Sequence, residues 1–275
     1  MTKFSIIIVA KDAGAKIGQL LQSVKNLSDD IVVCDTGSTD NTVNIALASG
    51  AKVYSIPWKG YGRSKNIAIQ FATYNWILSL DSDEKLDAQL YESLKTWQPK
   101  DDTAVYQVKW KNFLGNKWIR HSDWGNNWKT RLFNKHVVRW NNAIAHENVI
   151  SDVALRKVKL KGFLEHYTFN DEEDYLNKMI NSANLTALQY HQKEKKTNFL
   201  HIRISALYEF IKTYFLKSGF RDGQNGWLIA KTKAFYTYTK YKKLKELNSN
   251  KITTQDYKVS GTSLQPGKVV NIQSI

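Results

Sequence analysis

Residues 76–84, Trp-Ile-Leu-Ser-Leu-Asp-Ser-Asp-Glu, carry an apolar run straight into three carboxylates. A strand of this kind is buried on both faces, so the chain must build a sheet covered on two sides. The acidic turn then puts Asp81, Asp83 and Glu84 at the carboxyl edge, where open α/β sheets bind ligands. Asp81 and Asp83 alternate in direction along an extended chain, so at most one ligates a cation directly while the other works through water or a ribose. Hard oxygen ligands suit Mg2+ or Mn2+, which borrow the rest of their shell from a diphosphate. The same residues also read as a strand followed by a helix cap, with Glu84 in the first helical turn.

Two further segments read as buried strands, Phe4–Val9 and Ile31–Cys34, with a helix between them near residues 17–24. The second strand ends in Asp35-Thr36-Gly37-Ser38-Thr39-Asp40, where a carboxylate can meet a ribose or base edge and Gly37 permits a tight turn. The same run is also ordinary turn and cap chemistry. A strand over residues 52–56 leads into a Gly-rich basic loop, 57–66, ahead of a helix expected from about Ser64 to Ala72. Cations before a helix start suit a diphosphate; a solvated loop is the alternative. Neither the phosphate-loop lysine motif nor the G-x-G-x-x-G dinucleotide fingerprint occurs, which argues against a nicotinamide dehydrogenase.

Taken in order, Lys11-Asp12, Asp35-x-Gly-Ser-x-Asp40, Gly62-x-x-Lys65-Asn66 and Trp76-Ile-Leu-x-Leu-Asp81-x-Asp83-Glu84 resemble the family-2 inverting glycosyltransferases of the GT-A fold. Within that family they are most similar to bacterial lipopolysaccharide-core glucosyltransferases. The resemblance implies an α/β fold with a Rossmann-like, mostly parallel sheet, helices on both faces and amphipathic helices added at the C-terminus. It implies a UDP-sugar donor, with Asp35 near the uridine and Asp83 on a metal-bound diphosphate. Asp12, Asp40, Lys65, Asn66, Asp81 and Arg131 are the other expected donor-binding residues. Two departures are visible: Asp12-Ala13-Gly14 stands where many relatives have Asn-Glu-Glu, and Lys65 stands where many have Arg, so the bidentate fork is lost.

Residues 105–121 read as a hairpin turning at Leu114-Gly115-Asn116, followed by Asp123-Trp124 and the segment Thr130-Arg131-Leu132-Phe133. Trp110, Trp118, Trp124, Trp128 and Trp140 gather in this stretch and suit either core packing or a platform for an acceptor sugar. Ala145-His146-Glu147 resembles the family's His-Glu pair. Inversion needs one base for the acceptor hydroxyl, and Glu147 is the expected base, with Asp123 the runner-up. His166, after a strand-like segment, is expected either at the metal or as a hydrogen-bonded core residue.

The expected divisions are a catalytic domain over 1–170 (donor half 1–100, acceptor region 101–170), a helical extension over 171–247 and a mobile polar tail over 248–275. Cys34 falls in a predicted core strand and reads as a small buried hydrophobe. The N-terminal apolar run of six residues is too short for a signal peptide or membrane span. Of the net +15, residues 186–250 hold thirteen Lys/Arg against four Asp/Glu, interleaved with aromatic residues at helical spacing. That pattern suits an anionic membrane surface, each nearby cation adding roughly 1 kcal/mol, and points to a cytoplasmic, peripheral enzyme on the inner leaflet. Leu207, Phe210, Ile211, Tyr214 and Phe215 recur at helical spacing, and the alternative is that this apolar stripe packs on the catalytic domain. A basic nucleic-acid module would leave the acidic strand ends unexplained, so no nucleic-acid partner is expected. A lipopolysaccharide-core or lipid-linked glycan is the expected acceptor; exopolysaccharide and peptide acceptors are alternatives.

Overall fold

The apolar runs become adjacent parallel strands in the computed structural model, which describes residues 2–143, 147–169 and 171–249. Strand β1 (Phe4–Ala10) lies between β2 (Ile31–Asp35) and β4 (Trp76–Asp81), and β3 (Lys52–Ser55) extends the sheet beyond β2. Helices α1 (Gly14–Ser23), α2 (Thr42–Ala48) and α3 (Tyr61–Ile69) form the crossovers. Alternation along β1 sends Ile6 and Ile8 to the face packed by Ile17, Leu20 and Leu21, and Ile7 to the face packed by Ala68 and Ile69. Both faces are therefore covered, as a run of consecutive apolar residues requires. In this register Asp35 lies beside Ala10 and Asp81 beside Val9, so both carboxylates end on one edge.

The second half extends the sheet with mixed pairings. After β5 (Glu84–Leu86), α4 (Ala88–Lys95) starts on Asp87, whose side chain accepts the Leu90 N–H at 2.8 Å. Then follow β6 (Ala104–Leu114), β7 (Lys117–Trp118), β8 (Trp128–Asn134), the short pair β9 (Arg139–Trp140) and β10 (Val149–Ile150), and β11 (Arg156–Phe169). The order is β3-β2-β1-β4-β8-β6-β11-β5, with β8 antiparallel between β4 and β6 and β6 parallel to β11.

The structure decides between the two readings of Glu84 and corrects the start of one helix. Glu84 enters β5 rather than a helix, because the acidic turn folds straight back onto β11 and pairs Glu84 with His166. Helix α3 starts at Tyr61, three residues earlier than expected, so Gly62 belongs to the helix and not to a phosphate-cradling loop. Its reason is contact: a Cβ at Gly62 would lie 1.8 Å from the Asn141 carbonyl oxygen.

The chain divides into two compact units, Met1–Asn177 with Ile211–Lys231, and Lys178–Phe210 with Thr232–Ile275. The helices are α5 (Glu172–Gln192), α6 (Phe199–Ile211), which runs into a π-helical turn at Lys212–Leu216, and α7 (Gly223–Ser249). In the second unit Ala187, Leu244 and Leu247 form the buried centre. Helix α7 continues through Asn248, whose side chain meets His191 at 2.7 Å, so the expected tail does not begin at 248; its remainder, 250–275, lies outside the described residues. Among the described residues no helix is long and apolar enough to cross a membrane.

Candidate active site at the carboxyl edge of the sheet

Three of the expected donor-binding carboxylates build the strand-end loops. Buried Asp35 accepts the N–H groups of Gly37 at 3.0 Å and Ser38 at 3.1 Å, closing the turn after β2. Asp12 accepts the Thr39 N–H at 2.8 Å, and Asp40 accepts the Gly14 N–H at 2.8 Å while also holding Thr42. The loops after β1 and β2 are thus tied together by reciprocal carboxylate bonds.

Beside them, β4 delivers Asp81 into a cationic clamp. Asp81 Oδ1 lies 2.7 Å from Lys65 Nζ, and Asp81 Oδ2 lies 2.5 Å from Arg131 Nη2. The same Arg131 nitrogen reaches Glu84 Oε1 at 2.5 Å, and Lys65 reaches Glu147 Oε1 at 2.6 Å. Burial alone would raise Asp81, but Arg131 and Lys65 outweigh it and hold the carboxyl well below the usual range. Burial pushes Glu84 up to about 7 despite Arg131. Burial would likewise lower Lys65 and Arg131, and their carboxylate partners reverse both shifts. Asn66 uses both ends of its amide on the Trp140 backbone, at 2.8 and 2.9 Å, anchoring β9 to α3.

Asp83 faces a different partner. Its Oδ2 lies 3.6 Å from His166 Nε2, beyond hydrogen-bond reach. The tautomer of His166 is set from behind: Asn112 Nδ2 donates to the Trp124 carbonyl at 2.8 Å, which turns Asn112 Oδ1 toward His166 Nδ1 at 2.9 Å. His166 Nδ1 therefore carries the proton, and the Nε2 lone pair points to the Asp83 side. Trp110 stacks on the imidazole, with centroids 4.0 Å apart, and donates to Glu84 at 2.6 Å. Burial lowers the His166 pKa, which keeps the ring neutral. Among the described residues no group of three or more His, Cys, Asp or Glu forms a complete cation cage.

The glycosyl transferase family 2 model matches residues 5–162, more than half of the chain. The chain belongs to glycosyl transferase family 2. An uncharacterized glycosyltransferase of Rickettsia prowazekii is 29% identical over 94% of this chain and 92% of its own length. The lipopolysaccharide core biosynthesis glycosyltransferase LpsC of Rhizobium meliloti is 24% identical over 85% and 88%. Among solved structures, S. aureus TarS 1-349 in complex with UDP-GlcNAc aligns at 16% identity over 90% of this chain and 92% of its own, with a TM-score of 0.45.

In this family-2 transferase the parallel donor half with helices on both faces is the GT-A arrangement, and nucleotide-sugar chemistry comes with the family. The structure brings Lys65, Asp81, Arg131 and Glu147 into contact, with Asp83 beside His166. His146, the other half of the expected His-Glu pair, lies outside the described residues. Asp123 sits on a 3-10 turn, Ser122–Trp124, paired with Lys217 and next to the Trp124 carbonyl that orients Asn112. Of the two readings of the tryptophan cluster, packing accounts for much of it. Cations cover a face of Trp110 (Lys129, 4.6 Å), Trp118 (Arg120, 4.2 Å), Trp128 (Lys159, 4.6 Å) and Trp140 (Lys65, 4.6 Å), and Trp140 is buried. Sequence reasoning missed Asn112 and Asp222. Asp222 accepts the N–H groups of Arg120 and His121 at 3.1 and 2.9 Å, bonds across about 100 residues that its sequence neighbours do not mark.

Proposed function

We propose that this chain is a metal-dependent inverting glycosyltransferase that moves a hexose, glucose from UDP-glucose, onto a lipopolysaccharide-core or lipid-linked sugar. The carrying observation is the division of labour between Asp81, locked by Lys65 and Arg131, and Asp83, which faces the His166 lone pair across a gap too long for a hydrogen bond. A carboxylate oxygen and a neutral imidazole nitrogen so placed fit a Mg2+ or Mn2+ ion. Such ions take one or two protein ligands and complete their shell with phosphate and water. The cation, when bound, supplies charge that stabilises the leaving diphosphate.

The protein's own residues do the rest. Lys65 and Arg131 fix Asp81 at the sheet edge, beside the loops that Asp12, Asp35 and Asp40 hold for the nucleotide. Glu147 is our choice for the base: Lys65 engages Oε1, and the second oxygen takes the acceptor hydroxyl's proton as that hydroxyl attacks the anomeric carbon and the bond to UDP breaks. Asp123 is the alternative base. The acceptor class draws support from the likeness to LpsC and from the basic charge of the chain, which suits a phosphorylated glycan.

Calorimetric titration with UDP, GDP and a dinucleotide, each with and without manganese, tests the donor half. Manganese-dependent binding of UDP supports it; no nucleotide binding under either condition overturns it.

A further inference from the structure

Helix α6 is apolar on two sides. Ile202 is buried, as the inner face of a packed helix should be, yet Leu200 and Leu207 are 65% and 61% exposed, with Ile204 and Tyr208 exposed beside them. Positions 200, 204, 207 and 208 recur at i, i+4, i+7 and i+8, so these side chains form one outward stripe about 100° wide. A water-facing helix places polar residues there, and an exposed apolar face of this kind marks an interaction surface. At the head of the stripe the exposed Phe199 ring has the Arg203 guanidinium 4.6 Å from its centroid and the Lys245 ammonium 6.0 Å away. The described residues of this unit carry ten Lys/Arg against three Asp/Glu.

We propose that this face of α6 docks on an anionic lipid bilayer, with Leu200, Ile204, Leu207 and Tyr208 entering the acyl boundary and Arg203 and Lys245 meeting headgroup phosphates. Charge selects this occupant. A second copy of the same unit would bring its own cationic excess against this one, whereas an anionic leaflet attracts that charge and accepts the apolar stripe. The inference is separate from the donor-site reading: it uses none of the residues assigned to nucleotide, metal or base.

The test is flotation of the purified full chain with vesicles of phosphatidylcholine alone and of phosphatidylcholine with about one-third phosphatidylglycerol, at low and high salt. Wild type is expected to float with the anionic vesicles and to be released by salt. The variant L200Q/I204Q/L207Q should bind them at least about tenfold more weakly. Because all three positions are exposed, its circular dichroism and its UDP binding should match wild type. Wild type that ignores anionic vesicles, or a triple variant that binds like wild type, overturns the proposal. So does sedimentation showing a wild-type dimer that the triple variant loses, which would give the face to a second copy.

Discussion

Lys65 and Glu147, 82 residues apart, meet at 2.6 Å, with the lysine side chain only 3% exposed. One ammonium thereby serves two carboxylates, Asp81 and Glu147. Lys65→Met removes that charge and leaves Glu147 without the cation it faces, so urea denaturation should show a loss of about 3–5 kcal/mol. A loss below about 1 kcal/mol would place the pair among solvent-screened surface contacts.

Asp83→Ala separates structure from binding. Asp83 makes none of the clamp contacts of Asp81, so the melting temperature should change little, while manganese-dependent UDP binding disappears. Wild-type-like titration curves in this variant would remove Asp83 from the donor site.

Glu147→Gln keeps the side chain's shape and its oxygen toward Lys65 but cannot take a proton. UDP binding should persist while transfer slows by about 100-fold or more, the scale of a general base. If transfer is unchanged, Asp123→Asn becomes the decisive variant.

Gly62→Ala tests why a glycine stands in α3. The added methyl would collide with the Asn141 carbonyl, 1.8 Å away, and the Gly62 N–H to Ala143 bond of 3.1 Å would be strained with it. A stability loss of about 1–3 kcal/mol is expected. Unaltered stability would show that the segment yields freely.

Asp30 gives a pH signature away from the site. It is buried and accepts bonds from Lys52 at 2.8 Å, Ser5 at 2.5 Å and the Thr73 N–H at 2.8 Å. Burial raises its pKa, but these donors outweigh burial and lower it from the ordinary 3.8. A lowered folded pKa means stability that is full above the unfolded value and lost as pH falls through the folded one. Asp30→Asn should therefore destabilise the protein near pH 7, and the gap from wild type should narrow below pH about 4. A gap constant from pH 7 to 3 would contradict the assignment.

The parallel donor half was legible in the sequence because its signal is local. Consecutive apolar residues demand a strand buried on both faces, and the residue that ends the run sits at the sheet edge, so Asp35 and Asp81 could be placed from their own neighbours. Cys34 in the core followed from the same rule. The register that brings Asp35 beside Ala10 needed only right-order crossovers.

The clamp itself was decided by tertiary structure. Arg131 reaches Asp81 across 50 residues because β8 inserts antiparallel between β4 and β6, a pairing that no period within either strand encodes. Glu84 looked like a helix start and became an edge strand because β11 offered unpaired backbone groups beside it. Asn112 sets the His166 tautomer only because β6 and β11 lie in register there. The sequence pattern picked out Leu207, Phe210, Ile211, Tyr214 and Phe215 rather than the stripe of Leu200, Ile204, Leu207 and Tyr208, and a pattern records which residues share a face, not whether that face is covered. Packing alone settled that Ile202 turns inward and Leu200, Ile204 and Leu207 turn out. Short-range periodicity determines elements and their buried sides; which charges meet depends on contacts between distant residues, and these exist only once the chain has closed on itself.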